Sequence, residues 1–297
     1  MCTILAAAML CVPHLAAQSS ATGDAPRSVS IPFVVTSRDG KPIGEITAAD
    51  IVVRDDKKAP REISDIVSGV NVPLRLGLLI QDSTSMGEYS DFGSVIAAAG
   101  EFARRIAVTD ADRVLVETFS DRPDVSEWMD RNQLAHFSTH LRRAGRTALY
   151  DAVATAAVRM SDDSSWPARR VIVIITNAHD TASHTNAREA VAAVLDCKAV
   201  AFVIQLRSAE GVGPHEEILA EELTSDLGKR SGGFHEEHVE GEGAARIFDP
   251  VREWISGMHV VTYTPSEASK NGHHSIEIKP ATNKEWRVHA PQGYDEK

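Results

Sequence analysis

Ser83 and Ser85 follow closely on an apolar run, Leu74 to Ile80, that is interrupted only by Arg75. Two hydroxyls at alternate positions beyond a strand can face one crevice and share one ligand. With Gln81 and Asp82 at the junction, the stretch Gln81-Asp82-Ser83-Thr84-Ser85-Met86 offers a carboxamide, a carboxylate and a cluster of hydroxyls. Such groups suit hydrogen bonding, or coordination of a hard cation through oxygen. Open α/β sheets place their sites at this kind of strand end.

Other chemistry-bearing residues make poorer constellations. His235-Glu236-Glu237-His238 sets two imidazoles three apart beside Gly232-Gly233. That is not the His-Glu-x-x-His spacing of a zinc helix, and it reads as loop or edge-strand surface. The acidic run Glu236 to Glu242 reads as a solvated loop. Ser85, His179 and Asp180 would supply the side chains of an envelope hydrolase, but no Gly-x-Ser-x-Gly elbow accompanies them, so that reading is remote. Cys197 ends the helix-like run Val191 to Asp196 and reads as a small core residue.

The elements that must position these groups follow from the apolar rhythm. Val29 to Thr36, Ile51 to Arg54 and Glu62 to Val67 read as strands. From Leu74 onward strands and helices alternate. Leu74 to Ile80 is a strand, Val95 to Ile106 a helix, Arg113 to Phe119 a strand and Asn132 to Leu141 a short helix. Ala148 to Met160 carries Leu149, Ala152, Val153, Ala156 and Met160 on one helical face. Val171 to Ile175 is an unbroken β-branched run, as a strand buried on both faces requires. Helix Asn186 to Cys197, strand Ala199 to Leu206 and helix Ile218 to Arg230 follow. A last helical stretch, Ala244 to Ile255, should kink or restart at Pro250. Then His259 to Thr264, Ser275 to Lys279 and Glu285 to His289 read as strands again. The expected fold is α/β: a doubly wound, Rossmann-like, mostly parallel sheet flanked by helices, plus a small β module built from both chain ends.

The composition suits this reading. The chain has 297 residues, 43% hydrophobic and 25% charged, enough for one large core with a satellite. Its net charge of −11 argues against sequence-independent nucleic-acid binding and against docking on anionic lipid. Met1 to Ala17 carry no charged side chain, Ile4 to Val12 is apolar, and Leu15-Ala16-Ala17 resembles a cleavage site. The segment reads as a secretory signal peptide, which makes the mature chain secreted or periplasmic. No later run is long enough to span a bilayer. After cleavage Cys197 alone remains, so no disulfide can form within the chain.

The Ser83 segment resembles the first motif of von Willebrand factor A domains, Asp-x-Ser-x-Ser after a hydrophobic strand. The family's second element, a Thr in a Gly-x-Thr-Ala context, is matched by Gly145-Arg146-Thr147-Ala148. Its third, an Asp after the central strand, is matched in place by Ile174-Ile175-Thr176-Asn177-Ala178. The flanks Asp39-Gly40-Lys41-Pro42-Ile43 and Val260-Val261-Thr262-Tyr263-Thr264-Pro265 are similar to a bacterial, acidobacterial-type group of secreted relatives. The resemblance implies no catalysis, and it implies protein binding at or outside the envelope. It divides the chain into a signal peptide (1–17), a linker (18–28), an N-terminal β segment (29–72), a von Willebrand factor A-like domain (73–258) and a C-terminal β segment (259–297) packed with 29–72.

The resemblance also implies a metal site, for Mg2+ or Mn2+, on Ser83, Ser85 and Thr147. Its two acidic positions are here the amides Gln81 and Asn177. A carboxylate about 4 Å from a divalent ion contributes on the order of 8 kcal/mol before desolvation. If about 1.4 to 3 kcal/mol per acid survives, losing both weakens affinity roughly 10²- to 10⁴-fold. The expectation is a binding crevice of Gln81, Asp82, Ser83, Ser85, Thr147 and Asn177 that takes a protein partner without metal. In that case Ser83 or Ser85 and Thr147 would cap the helices that follow them. The alternative is an intact metal site in which Asp82, through Asp82-x-Thr84, or Asp151 supplies charge.

Overall fold

The computed structural model describes residues 28–136, 141–162, 167–208, 224–267, 269 and 272–295. The expected signal peptide and almost all of the linker lie outside them, as does the first part of the helix expected from Ile218.

The centre of the molecule is a six-stranded sheet. Its strands in chain order are β4 (Leu74–Gln81), β5 (Arg113–Phe119), β6 (Pro123–Val125), β7 (Arg169–Thr176), β8 (Val200–Arg207) and β9 (Phe234–Val239). In space they run β6-β5-β4-β7-β8-β9. All neighbours are parallel except β6, which is antiparallel to β5. Counted within the sheet, this is the doubly wound order 3-2-1-4-5-6, whose direction reverses between β4 and β7. Strands β4 and β7 are buried along their whole length, which explains their almost uninterrupted apolar runs.

Alternate residues of β4 feed two separate cores. Leu74, Leu76, Leu78 and Ile80 pack with α1 (Phe92–Ile106) and with the helix Asp249–Ser256. Leu79, on the opposite face, packs with α3 (Leu149–Asp162) and α4 (Ala187–Asp196). Helix α2 (Arg131–His136) is short. Pro250 sits in the first turn of Asp249–Ser256, after a separate 3₁₀ turn Ala244–Arg246, so the chain restarts there and does not kink. Cys197 is buried behind the end of α4, where burial pushes its thiol up to about 11.

Strands from both chain ends build two further sheets. β1 (Val29–Thr36) lies between β10 (Met258–Thr264) and β12 (Arg287–His289), and β3 (Glu62–Ser68) pairs the far side of β10. The second sheet is β13 (Gly293–Asp295), β11 (His273–Pro280) and β2 (Ile51–Asp55). Their facing side chains, including Phe33, Val53, Tyr263 and Ile278, form a third core. Asp55 is buried at its centre and accepts hydrogen bonds from Tyr263 (2.7 Å), Tyr294 (3.1 Å) and His274 Nδ1 (2.6 Å).

Two sequence expectations need correction. Glu236 and Glu237 belong to edge strand β9, not to a solvated loop, and Glu240 beyond it accepts from the Ser90 backbone N–H and hydroxyl. The β run leaves His238 buried against Asp91 at 3.2 Å. The three-residue strands β6 and β13 are too short for the alternation by which strands are recognised.

Candidate functional site

Gln81 is the hub of the crevice. It is the last residue of β4, and its side chain is 0% exposed. Its Nε2 donates to Ser83 Oγ at 2.7 Å, Ser85 Oγ at 3.2 Å and Thr147 Oγ1 at 3.2 Å. Its Oε1 accepts from Thr176 Oγ1 at 2.5 Å and from the Asn177 N–H at 3.0 Å. Ser83 and Ser85 lie 3.0 Å apart, and Asn177 Nδ2 donates to Ser85 Oγ at 2.9 Å. The crevice thus sits between the carboxyl ends of β4 and β7, where the sheet reverses direction.

The hydroxyls do not cap helices. No side-chain cap bond joins Ser83 to the 3₁₀ turn Thr84–Glu88, and α1 begins later, after Asp91. At α3 the capping acceptor is Asp180, which takes the N–H of Leu149 at 2.8 Å and of Tyr150 at 3.3 Å. Thr147 is itself held by the next loop: its N–H donates to Thr181 Oγ1, and its carbonyl accepts from the N–H groups of Thr181 and Ala182. The physical reason is that a buried carboxamide with two donor hydrogens must find acceptors, and these hydroxyls are the ones within reach.

The nearby acids all face elsewhere. Asp82 is buried, not solvated, and its two oxygens take the N–H of Arg142 at 2.9 Å and of Arg143 at 2.6 Å. Asp151 takes the N–H groups of His184 and Thr185. Burial opposes its ionisation, but the hydrogen bonds from Thr185 and His184 prevail and hold its carboxyl down at about 2. Both acids are loop anchors.

The residues therefore do not fit a divalent ion. Among the described residues no carboxylate is hydrogen-bonded to the side chains of Ser83, Ser85 or Thr147, and a weakly acidic N–H2 group points at all three oxygens. A cation at that place would face the donor hydrogens of Gln81 and gain no anion in return. The hydrolase constellation also fails to assemble. Among the described residues no hydrogen bond joins the side chains of Ser85, His179 and Asp180, and Asp180 Oδ1 is engaged with Ser183 Oγ at 2.5 Å. His235 and His238, three apart on a strand, lie on opposite faces and cannot share an ion.

Thr176 and Tyr89 belong to the site but escape the sequence pattern. Thr176 bridges Gln81 Oε1 and the N–H of Ala178, whose φ of 66° makes the turn that brings Asn177 inward. The Tyr89 hydroxyl donates to the Leu206 carbonyl at 3.0 Å, and burial chiefly pushes it up to about 12. A Thr that ends an apolar strand was the one available signal.

No protein-family profile matches the sequence, and no curated protein matches it. Solved structures similar to the chain include the conserved hypothetical protein BatB from Bacteroides thetaiotaomicron, at 18% identity and TM-score 0.44, over 62% of this chain and 97% of that one. The SpRpn10 VWA domain is similar at 16% identity and TM-score 0.46, over 61% and 94%. A von Willebrand factor type A protein from Catenulispora acidiphila is similar at 14% identity and TM-score 0.42, over 92% of this chain and 63% of that one.

Proposed function

We propose that this chain is a protein-binding module of the von Willebrand A type that works at or outside the cell envelope, without a metal ion and without catalysing a reaction. The observation that carries the reading is the Gln81 carboxamide nitrogen, set within hydrogen-bond reach of all three hydroxyls that would otherwise ligate an ion. Its amide supplies internally the positive pole that a cation would supply from solution. The crevice is therefore organised at every metal concentration. Ser85, half-buried and hydrogen-bonded to the buried Asn177, remains at its edge to donate and accept hydrogen bonds with a partner's side chain.

No helix among the described residues is long and apolar enough to cross a membrane. Secretion rests on the charge-free leader of the sequence.

The test is affinity capture from envelope extract with the mature protein, with and without EDTA, beside Ser85→Trp, which fills the crevice. Capture that persists in EDTA and is lost with Ser85→Trp is the expected result. Capture that requires Mg2+ or Mn2+ would overturn metal independence, and capture indifferent to Ser85→Trp would overturn the crevice as the docking surface.

A further inference from the structure

We infer that a second site, apart from the crevice, binds a small quaternary ammonium cation in a corner of aromatic rings. A cavity of about 250 Å³ lies where the β module meets the start of β9 and the helix Asp249–Ser256. Phe234 and Trp254 line it together with Pro42 and Pro250, and Glu236 and Glu253 add two carboxylates. Phe234 begins β9, whereas Gln81 ends β4, so the cavity and the crevice lie toward opposite edges of the parallel sheet. Ligand sites favour junctions of this kind. The volume falls below the roughly 300 to 1,000 Å³ of pockets for drug-sized molecules, so the occupant is small.

The walls are held in place. The rings of Phe234 and Trp254 have centroids 5.3 Å apart and stand nearly perpendicular, at 73°. Phe202 packs on Phe234 at 4.9 Å, and His289 packs on Trp254 at 4.8 Å. Trp254 Nε1 donates to the Gly232 carbonyl at 3.2 Å. Pro42 comes close to the end of the helix because Gly257 is there: a Cβ on Gly257 would lie 2.3 Å from that of Pro42. The turn that carries Pro42 is closed by the Gly40 N–H on the Ser37 carbonyl at 3.0 Å and the Ile43 N–H on the Val35 carbonyl at 2.8 Å. Walls fixed in advance reduce the ordering cost of binding.

The lining selects charge and then the kind of cation. Aromatic rings attract cations through their quadrupole, and two rings at a steep angle can flank one from two sides. Glu236 and Glu253 are exposed, and among the described residues their side chains make no ion pair and no hydrogen bond. None of the described lining residues is Lys, Arg or His, so nothing in the cavity neutralises the two carboxylates. The net charge of −11 adds a long-range attraction for any cation. A guanidinium or a primary ammonium would bring N–H groups that the ring and proline walls cannot accept, and Trp254 Nε1 is itself a donor, already engaged. A trimethylammonium head has no N–H to satisfy. It presents methyl groups to the rings and prolines while its charge faces the carboxylates.

The test is proton NMR of choline chloride titrated with the full mature chain at fixed ionic strength. Neohexyl alcohol, the uncharged carbon isostere of choline, and guanidinium chloride are run beside it. The choline methyl resonance should move upfield, as methyls over aromatic rings do, with a Kd of roughly a millimolar. The isostere should bind at least about ten-fold more weakly, and guanidinium at equal concentration should leave choline bound. E236Q/E253Q, at two exposed side chains, should weaken choline binding roughly ten-fold with an unchanged Tm. Equal affinity for the isostere would make the cavity merely apolar, and displacement of choline by guanidinium would make it a general cation site. Either result would overturn the inference, as would choline methyls that do not shift or an E236Q/E253Q variant that binds as wild type does. None of these outcomes bears on the crevice, which the Ser85→Trp capture experiment tests separately.

Discussion

The double substitution Q81D/N177D converts the argument about the crevice into numbers. Gln81 has five hydrogen-bond partners at a fully buried position, three of them hydroxyls that share its two N–H hydrogens. An aspartate there is one carbon shorter, keeps acceptors for Thr176 and Asn177, and loses both donor hydrogens. In EDTA the variant carries buried carboxylate charge with no cation to meet it, at a cost of about 3 kcal/mol. For a protein of this size that lowers Tm by roughly 6 to 12 °C. Mg2+ at about a hundred times its Kd returns about 2.7 kcal/mol, so most of the loss is recovered. Affinity for Mg2+ should rise roughly 10²- to 10⁴-fold over wild type. The assays are thermal melts in EDTA and in Mg2+, and calorimetric titration. Wild type should melt at one temperature in both. A rise of several degrees in wild type on adding Mg2+ would refute the reasoning. So would a variant that binds the ion no more tightly than wild type, because the deficit would then not be one of charge.

Three further perturbations follow from groups outside the crevice. Glu117 on β5 is fully buried, neither oxygen meets a hydrogen-bond partner among the described residues, and burial pushes its carboxyl well above the usual range. The folded state then holds a proton that the unfolded chain releases above about pH 4.3, so this contribution is full below that pH and falls by about 1.4 kcal/mol per pH unit until the folded group ionises. Glu117→Leu should flatten that slope in urea melts run at mildly acid and neutral pH; an unchanged slope would place its origin elsewhere. Asp151 has the opposite sign: held at about 2, it stabilises above the ordinary carboxylate range and loses that contribution as pH falls toward about 2. Asp151→Asn should cost about 1 to 2 kcal/mol at neutral pH and less in acid, and hydrogen exchange should show loosening first in residues 183–185. Burial also raises the Tyr263 phenol, which keeps its proton and donates it to Asp55. Tyr263→Phe should cost about 1 to 2 kcal/mol, read as a lower urea midpoint.

The fold was legible because its central strands are buried on both faces and leave long apolar runs. Strands Val29–Thr36 and Arg113–Phe119 stand with the bounds their apolar content suggested, and β7 extends the β-branched run by three residues. The candidate site is only half legible. Which residues stand at the strand ends can be read from spacing, but what their side chains meet cannot. Gln81 finds Thr147 across 66 positions and Asn177 across 96, and Asp82 finds Arg142 across 60. The helix-cap expectation failed for that reason: a local rule assigns each hydroxyl to its own helix, while the buried carboxamide recruits all of them at once. Asp180 then caps α3 from a distance of 31 residues, which no local pattern announces.

The two halves of the architecture also explain how the crevice is presented. β3 leads through a 3₁₀ turn, Gly69–Asn71, directly into β4, and the Arg169 side chain at the start of β7 donates to the Val72 carbonyl at 2.9 Å. Strands β12 and β13 are fastened to the same edge: Gln292 donates to the Arg230 carbonyl, and Lys198 lies over the Tyr294 ring at 4.7 Å. The β module therefore covers the amino edge of the parallel sheet. The crevice opens at the carboxyl edge, eight residues of β4 away, or roughly 25 Å. The crevice hydroxyls therefore lie at the opposite edge of the sheet from the module, and the amino-edge packing that positions β4 is the same packing that fixes where Gln81 must sit.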